Sequence, residues 1–277
     1  MSKEFFRQII ASAGWSLSEI GGRGINEPRV AVVMYHSVGR SANMSFSPAL
    51  FSGHLDALQD MGAEFKTVGQ LSLTEPMHRS IICLTFDDGF EDNHSVVLPL
   101  LKARGIKATF FLCSGFVDRR IDIASRFRNY RDLPSMNWQQ ARELAAAGME
   151  IGCHTVSHPV LATLSALKQE KEMANSKKEI EDQVGIEISS FAIPFGNRGT
   201  YTAETLDIAA RYFRVCCTTR FSTNPIPPHR HRNMVLFDRV EPRPSHSAAQ
   251  VKAQARGRWD ALRWIQRPFR KDDSSNA

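Results

Sequence analysis

The sequence predicts an α/β protein whose parallel strands alternate with helices and close into a barrel. Three observations support this prediction. Short, continuous apolar runs of strand character recur along the chain, amphipathic helical segments separate them, and polar clusters follow the ends of several runs. Strand–helix alternation of this kind is typical of a parallel sheet. With 277 residues, 42% hydrophobic and 23% charged, the chain fits one large soluble domain.

The individual elements follow from apolar runs and from helix start and stop signals. Ser47 and Asn137 are placed to cap helices, with Pro48 in the first turn after Ser47, and glycines end several helical stripes. Strands are predicted at 30–38, 65–68, 81–86, 108–112, 149–153, 188–193, 213–218 and 234–240. Helices are predicted at 48–61, 92–104, 137–148, 164–184 and 202–212.

The strand at 81–86 ends in two adjacent carboxylates and a glycine, Asp87, Asp88 and Gly89. Chemistry in α/β folds lies just past the carboxyl ends of strands. Two neighbouring negative charges repel, which pushes their pKa values apart unless a cation lies between them. The pattern therefore favours one Asp as a metal ligand and the other as a base. The structural alternative is an ordinary Asx-type turn, since Asp-Gly is common in turns.

A pair of histidines follows the strand at 149–153. His154 and His158 are spaced i, i+4, which brings two side chains to one face of a helical turn. Zinc sites commonly use two His and one carboxylate and keep a position open for water. Because parallel strand ends meet on one face of a barrel, Asp88 is expected to join the two His there. The alternative is a surface or core His pair without a metal.

These motifs resemble those of a known family. Thr85-Phe86-Asp87-Asp88-Gly89 followed by His154-Thr155-x-x-His158 is similar to the first two motifs of the polysaccharide deacetylases, the NodB-homology or carbohydrate esterase 4 family. Lys107–Phe111 matches the family's second strand, and Phe191–Gly196 resembles its Arg-x-Pro-Tyr motif in a variant form. The resemblance covers roughly 30–242. It implies a distorted (β/α)7 barrel, open on one side, as a single catalytic domain at 30–245 between helical extensions at 1–29 and 246–277.

The resemblance also implies roles for site residues. It makes Asp88, His154 and His158 the ligands of a divalent metal, of which zinc is the first choice and cobalt, manganese or iron fit the same ligands. Asp87 is the implied base that accepts a proton as water attacks an N-acetyl carbonyl.

Two positions depart from the family pattern. The late Leu-x-Ile-x-x-His motif that supplies the general acid is not found, so His36 is the first candidate acid and His246 the second. A His at a strand end such as His36 is also often only structural. The Arg of the third motif, which orients the base, is replaced here by Ala192, and Arg239 is the candidate to replace it. Residues expected to contact substrate are Tyr35, Pro194, Phe195 and Arg239.

Both ends of the chain carry amphipathic or basic patterns. A helical apolar stripe lies within 1–29, predicting a helix that either packs on the domain or lies on a membrane surface. From Arg211 onward, 14 Lys or Arg against 5 Asp or Glu give a net charge of +9. The interleaved Trp and Phe residues suit an anionic membrane surface, while a packed or disordered tail is the alternative. Nucleic acid is not expected as a partner, since no groove-reading motif is present.

The sequence thus predicts a metal-dependent hydrolase that removes N-acyl groups from an amino-sugar polysaccharide or a glycan precursor, including a lipid-linked one. Five Cys without C-x-x-C spacing indicate a reducing compartment, and the absence of a secretory signal pattern favours a cytoplasmic location. Two alternatives remain open. One is a metal amidase acting on a non-sugar substrate, and the other is a non-catalytic carbohydrate-binding protein on the same fold.

Overall fold

The structure is a computed structural model that describes residues 28–39, 45–71, 79–123 and 133–260. The strands are β1 (Val30–Tyr35), β2 (Glu64–Phe65), β3 (Ile81–Phe86), β4 (Ala108–Leu112), β5 (Glu150–Cys153), β6 (Ser190–Ala192), β7 (Val215–Cys217), β8 (His229–His231), β9 (Met234–Phe237) and β10 (Arg239–Val240). The helices are α1 (Pro48–Gln59), α2 (Leu98–Lys102), α3 (Ser114–Val117), α4 (Trp138–Ala146), α5 (Ala166–Val184), α6 (Ala203–Tyr212) and α7 (Ala248–Ala255).

The strands form a distorted parallel barrel, as predicted. Their order is β10-β1-β3-β4-β5-β6-β7-β9-β8, with only the β8–β9 pair antiparallel. The last barrel strand is interrupted at Asp238, so that β9 pairs with β7 while β10 pairs with β1. Asn224 fills the interruption, since its side chain bonds the backbone of Asp238 and its own backbone bonds Val30. Asn224 therefore links the start of β1 to the interruption between β9 and β10.

Successive residues of each strand face alternate layers of the core. On β1, Val30 and Val32 belong to the apolar cluster inside the barrel, whereas Ala31 and Val33 belong to the cluster beneath the helices. On β3, Cys83 faces inward. Since side chains alternate along a strand, Thr85 and Asp87 continue the inward row. The strand therefore delivers Asp87 to the mouth of the barrel.

Most helix starts agree with the sequence prediction. Ser47 caps α1 with Pro48 in its first turn, and Asn137 and Thr202 each form a capping box at the start of α4 and α6. The predicted helix at 92–104 is a π-helical turn, Asn93–Val97, followed by the short α2. The antiparallel strand β8 was not predicted. All five cysteines are buried and unpaired by disulfides.

Residues 246–260, which the sequence analysis assigned to a C-terminal extension, pack on the barrel. Helix α7 packs on α1, and Val251 and Ala255 belong to the main core. The carboxylate of Asp260 lies 3.7 Å from the guanidinium of Arg29, the residue that precedes β1. The predicted amphipathic helix and the basic aromatic stretch beyond 260 lie outside the described residues, as does the rest of the 1–29 extension apart from residues 28 and 29. None of the described helices combines the length and apolarity needed to span a bilayer.

Candidate active site

The turn after β3 places both carboxylates at the barrel mouth. Asp88 has φ 75° and Gly89 has φ 95°, so two successive residues occupy the left-handed region. A side chain at Gly89 would also meet Val117 at 3.0 Å, which explains the glycine. The turn is held by a bond from the Cys113 N–H to the Asp88 carbonyl, 3.1 Å long. The side chains of Asp87 and Asp88 can therefore point in different directions and take different roles.

Asp87 forms a buried, two-pronged ion pair with Arg239. The guanidinium donates to both carboxylate oxygens, at 2.7 and 2.8 Å, and its Nε donates to the Thr218 carbonyl at 3.0 Å. Burial raises the pKa of Asp87, but the charge and hydrogen bonds of Arg239, aided by His154, outweigh this effect and lower the pKa to about 2. Arg239 therefore contacts Asp87 from a late strand, which is where the sequence predicted a replacement for the arginine that is missing at Ala192. Because Arg239 is fully buried, its predicted contact with substrate is wrong.

Asp88, His154 and His158 come together as predicted. Oδ1 of Asp88 lies 3.6 Å from Nε2 of His154 and 3.5 Å from Nε2 of His158. In the described part of the chain, this is the one group of three or more His, Cys, Asp or Glu side chains whose ligand atoms all lie within 4.8 Å of one another. All three side chains are buried.

The spacing of these atoms fits a divalent metal. Two ligand atoms held about 2.1 Å from one ion at a tetrahedral angle lie about 3.4 Å apart, close to the distances between Asp88 and each His. In addition, Oδ1 of Asp88 is buried and accepts no hydrogen bond from the described residues. A buried carboxylate oxygen without a partner is costly, and a bound cation would remove this cost.

The surroundings of the two histidines suit them to hold a metal. Nδ1 of His154 donates to the Ala192 carbonyl at 2.7 Å, which fixes the ring with Nε2 toward Asp88. Burial lowers the pKa of His158 to about 4, against the opposing effect of Asp88, so its ring is neutral near pH 7. The sequence analysis noted Ala192 only because the family has an arginine at that position. The backbone carbonyl of Ala192 also fixes the His154 ring, and no sequence signal predicts this contact.

His36 follows β1 and lies near the same site. Its side chain is partly exposed, and its carbonyl accepts a 2.7 Å hydrogen bond from Asn93. The N–H of Asp87 donates to the carbonyl of Tyr35 at 3.0 Å, so His36, the next residue, lies beside the strand end that carries Asp87. This position makes His36 a candidate proton donor beside the three predicted metal ligands.

Phe195 forms one wall of the site, whereas Pro194 does not. The Phe195 ring packs edge-on against His158 with centroids 4.7 Å apart, and its backbone is left-handed with φ 60°. The Thr219 hydroxyl donates to the Phe195 carbonyl and holds this loop. Pro194 is buried, so its predicted contact with a sugar is wrong.

Tyr35 and His246 lie on the other side of the sheet, so their predicted roles as a substrate contact and an acid are wrong. Tyr35 is 1% exposed, and its hydroxyl bonds Nδ1 of His54 on α1 at 3.2 Å. Nε2 of His54 donates to the His246 carbonyl at 2.9 Å, and Nδ1 of His246 bonds Gln254 of α7. This buried chain of polar groups joins α1 to the C-terminal helix.

The buried network predicts a stability that depends on pH. Burial lowers the pKa of His54, so the folded state favours its neutral form while the unfolded chain takes up a proton below about pH 6.5. The stabilisation is present above that pH and is lost as the pH falls, with a slope of at most about 1.4 kcal/mol per pH unit. His54→Gln is expected to be less stable at pH 7 and to lose less stability between pH 7 and 5. Urea unfolding at several pH values measures both slopes, and equal slopes would contradict the prediction.

Comparisons with known proteins agree with the geometry. A model of the polysaccharide deacetylase family matches residues 74–212, half of the chain. YxkH of Bacillus subtilis (strain 168) is 27% identical over 230 residues, which are 81% of this chain and 75% of YxkH. Peptidoglycan-N-acetylglucosamine deacetylase of Bacillus cereus is 29% identical over 122 residues, 44% of this chain and 49% of that enzyme.

The fold has a matching solved structure. The Streptococcus pyogenes deacetylase PplD, in complex with acetate, superposes with a TM-score of 0.69 and 26% identity, covering 83% of this chain and 99% of PplD. The family match, the barrel and the placement of the motif residues at its mouth lead to one assignment. The chain belongs to the polysaccharide deacetylase family, hydrolases that act on carbon–nitrogen bonds other than peptide bonds.

Proposed function

We propose that this chain is a metal-dependent deacetylase that removes N-acetyl groups from an amino-sugar polymer or glycan precursor. The observation that carries the proposal is the spacing of Asp88, His154 and His158 beside the Asp87–Arg239 pair. The relatives support the substrate class, since one is named for N-acetylglucosamine in peptidoglycan and another for chitin.

The proposed reaction divides the work among residues at the barrel mouth. Asp88, His154 and His158 would hold a divalent ion, zinc being the first choice for two His and one carboxylate. Such an ion supplies a Lewis acid that makes water more acidic and polarises an acyl carbonyl. Asp87, ionised and fixed by Arg239, accepts the proton of the attacking water. His36 gives a proton to the leaving amine, and Phe195 bounds the sugar site beside His158.

The test compares metal content and acetate release for the full chain and two His variants. Wild type is expected to bind about one metal per chain and to release acetate from N-acetylglucosamine oligomers. His154→Ala is expected to lose both, because it removes one of three ligands. His94→Ala is the matched control, since His94 pairs with Glu143 away from the site and its loss is expected to change neither property. A wild type without metal, even after reconstitution, would overturn the proposal.

The same assay separates the alternatives. An amidase for non-sugar substrates would hydrolyse simple N-acetyl amides at least as well as the oligomers. A carbohydrate-binding protein would bind the oligomers, release no acetate and be unaffected by Asp87→Asn. The buried Asp87–Arg239 pair favours the enzyme, because a binding protein has no need of a fixed, ionised carboxylate at this position. Comparing a soluble oligomer with a lipid-linked amino sugar would then identify the preferred form of the substrate.

His36→Gln is expected to lower kcat for N-acetylglucosamine oligomers by about 10²–10⁴-fold, the usual contribution of a general acid. Activity on 4-nitrophenyl acetate should fall much less, because a nitrophenolate leaves without being protonated. Metal content is expected to stay at the wild-type level. His94→Gln provides the control on the same substrates, and an equal loss on both substrates would rule out His36 as the acid.

A further inference from the structure

The turn from His154 to His158 is hydrogen-bonded to α5, a helix that contains none of the three predicted metal ligands. Glu172 of α5 accepts three hydrogen bonds from this turn. Its Oε2 accepts from the backbone N–H groups of Val156 and Ser157, at 3.0 and 2.9 Å, and its Oε1 accepts from the Ser157 hydroxyl at 2.7 Å. Both carboxylate oxygens are thus bonded to the residues that separate two predicted ligands.

Two further side chains of α5 continue this support. Ser176 donates to the Thr155 carbonyl at 2.9 Å, and Glu179 accepts from the Ser114 hydroxyl at 2.6 Å. The Ser114 N–H donates in turn to the Thr155 carbonyl at 3.2 Å. Positions 172, 176 and 179 have the i, i+4, i+7 spacing that defines one face of a helix. These three polar side chains of α5 therefore face the loops that contain the site residues.

The turn needs such support because its backbone is strained. Thr155 and His158 have φ values of 68° and 53°, in the left-handed region. For residues other than glycine this region is unfavourable, because the Cβ atom crowds the backbone. Strained backbone persists only where the surroundings hold it in place, and it is concentrated at functional sites. Within the turn, the Thr155 hydroxyl accepts from the His158 N–H at 3.1 Å, and Glu172 adds a charged acceptor from outside.

We propose that Glu172 is a positioning residue that holds the His154–His158 turn in its ligand-presenting conformation and so sets the affinity of the site for a divalent metal. The inference rests on the proposed function in taking Asp88, His154 and His158 as the ligands. Groups that orient metal ligands contribute about 10–100-fold to metal affinity. Hydrogen bonds to an ionised acceptor are also about twice as strong as those between neutral groups.

The test measures Zn²⁺ dissociation constants of the full chain by competition with a chromogenic chelator. Glu172→Ala is expected to bind Zn²⁺ about 10–100-fold more weakly than wild type. Glu172→Gln is expected to restore most of the loss, because its amide carbonyl can accept from both backbone N–H groups and its NH₂ can donate to Ser157. Glu170→Ala is the control on the same helix, since Glu170 bonds Tyr212 and Arg211 instead. Its Zn²⁺ affinity should equal that of wild type.

A second readout uses Co²⁺, whose visible absorption reports ligand geometry. Glu172→Ala is expected to change this spectrum, while Glu170→Ala leaves it as in wild type. Equal Zn²⁺ affinities and equal Co²⁺ spectra for folded wild type and Glu172→Ala would overturn the positioning role and leave the proposed deacetylase intact. A wild type that binds neither metal would overturn both. If Glu172→Ala does not fold, Ser157→Ala replaces it, with a several-fold weaker affinity expected and an unchanged one contradicting the inference.

Discussion

Asp87→Asn is expected to lower kcat for N-acetylglucosamine oligomers by about 10²–10⁴-fold, the usual contribution of a positioned base. The substitution removes the group that accepts the proton of the attacking water. It leaves all three predicted metal ligands in place, so the metal content should remain at about one per chain. Acetate release under saturating substrate, together with elemental analysis of the same samples, measures both properties.

The control for this variant is another carboxylate converted to an amide outside the site. Asp56→Asn is suitable, because Asp56 on α1 forms an ion pair with Arg104, just after α2. This control is expected to keep wild-type kcat. Assays should be run at a temperature where Asp87→Asn is folded, since the variant leaves the buried guanidinium of Arg239 without its counter-charge. A folded, metal-containing Asp87→Asn that retains more than a tenth of wild-type kcat would exclude Asp87 as the base.

Arg239→Met is expected to lower the free energy of unfolding by about 3–5 kcal/mol, because it leaves the buried carboxylate of Asp87 without its partner. The double variant Asp87→Asn/Arg239→Met is expected to lose less than the sum of the two single losses, since neither charge is then left alone. Denaturant unfolding of the four proteins gives the coupling. Additive losses would show that the two-pronged contact contributes no coupling to stability.

The same arginine variant is expected to alter the pH dependence of catalysis. Without Arg239, burial of Asp87 is no longer opposed by a neighbouring cation, so the pKa of Asp87 rises from about 2. The base then becomes protonated at a higher pH, and the acid side of the kcat/KM profile moves upward. Arg239→Lys keeps the charge but not the planar fork, so an intermediate shift is expected. An unmoved acid side in Arg239→Met would contradict this role for the arginine.

Sequence reasoning located the site well because its main signals are local. Strand ends carry Asp88, His154 and His158, and the geometry of parallel strands brings those ends to one face. The contact between Arg239 and Asp87 was also foreseen, since a late strand was the natural place for a second source of the missing guanidinium. The sequence could not show which strands are neighbours. In the structure, β10 pairs with β1 and β1 pairs with β3, which brings β10 within reach of β3.

The errors have a common physical origin. In a strand that is buried on both faces, most positions on each face are apolar, so the sequence does not reveal which residues face the barrel interior. Tyr35 shares its face with Ala31 and Val33 and so lies beneath the helices, not in the site. The docking of α7 was missed for a related reason. Its contacts to α1 depend on His54 and His246, two polar residues separated by most of the chain.

The ion pair between Arg29 and Asp260 has a consequence for how the molecule can be tethered. Arg29 precedes β1, so this contact lies at the end of the barrel opposite the mouth that holds Asp87 and Asp88. Residues 29 and 260 therefore share one corner of the fold. A probe or fused group attached at residue 29 or 260 would lie at the end of the barrel away from Asp87 and Asp88.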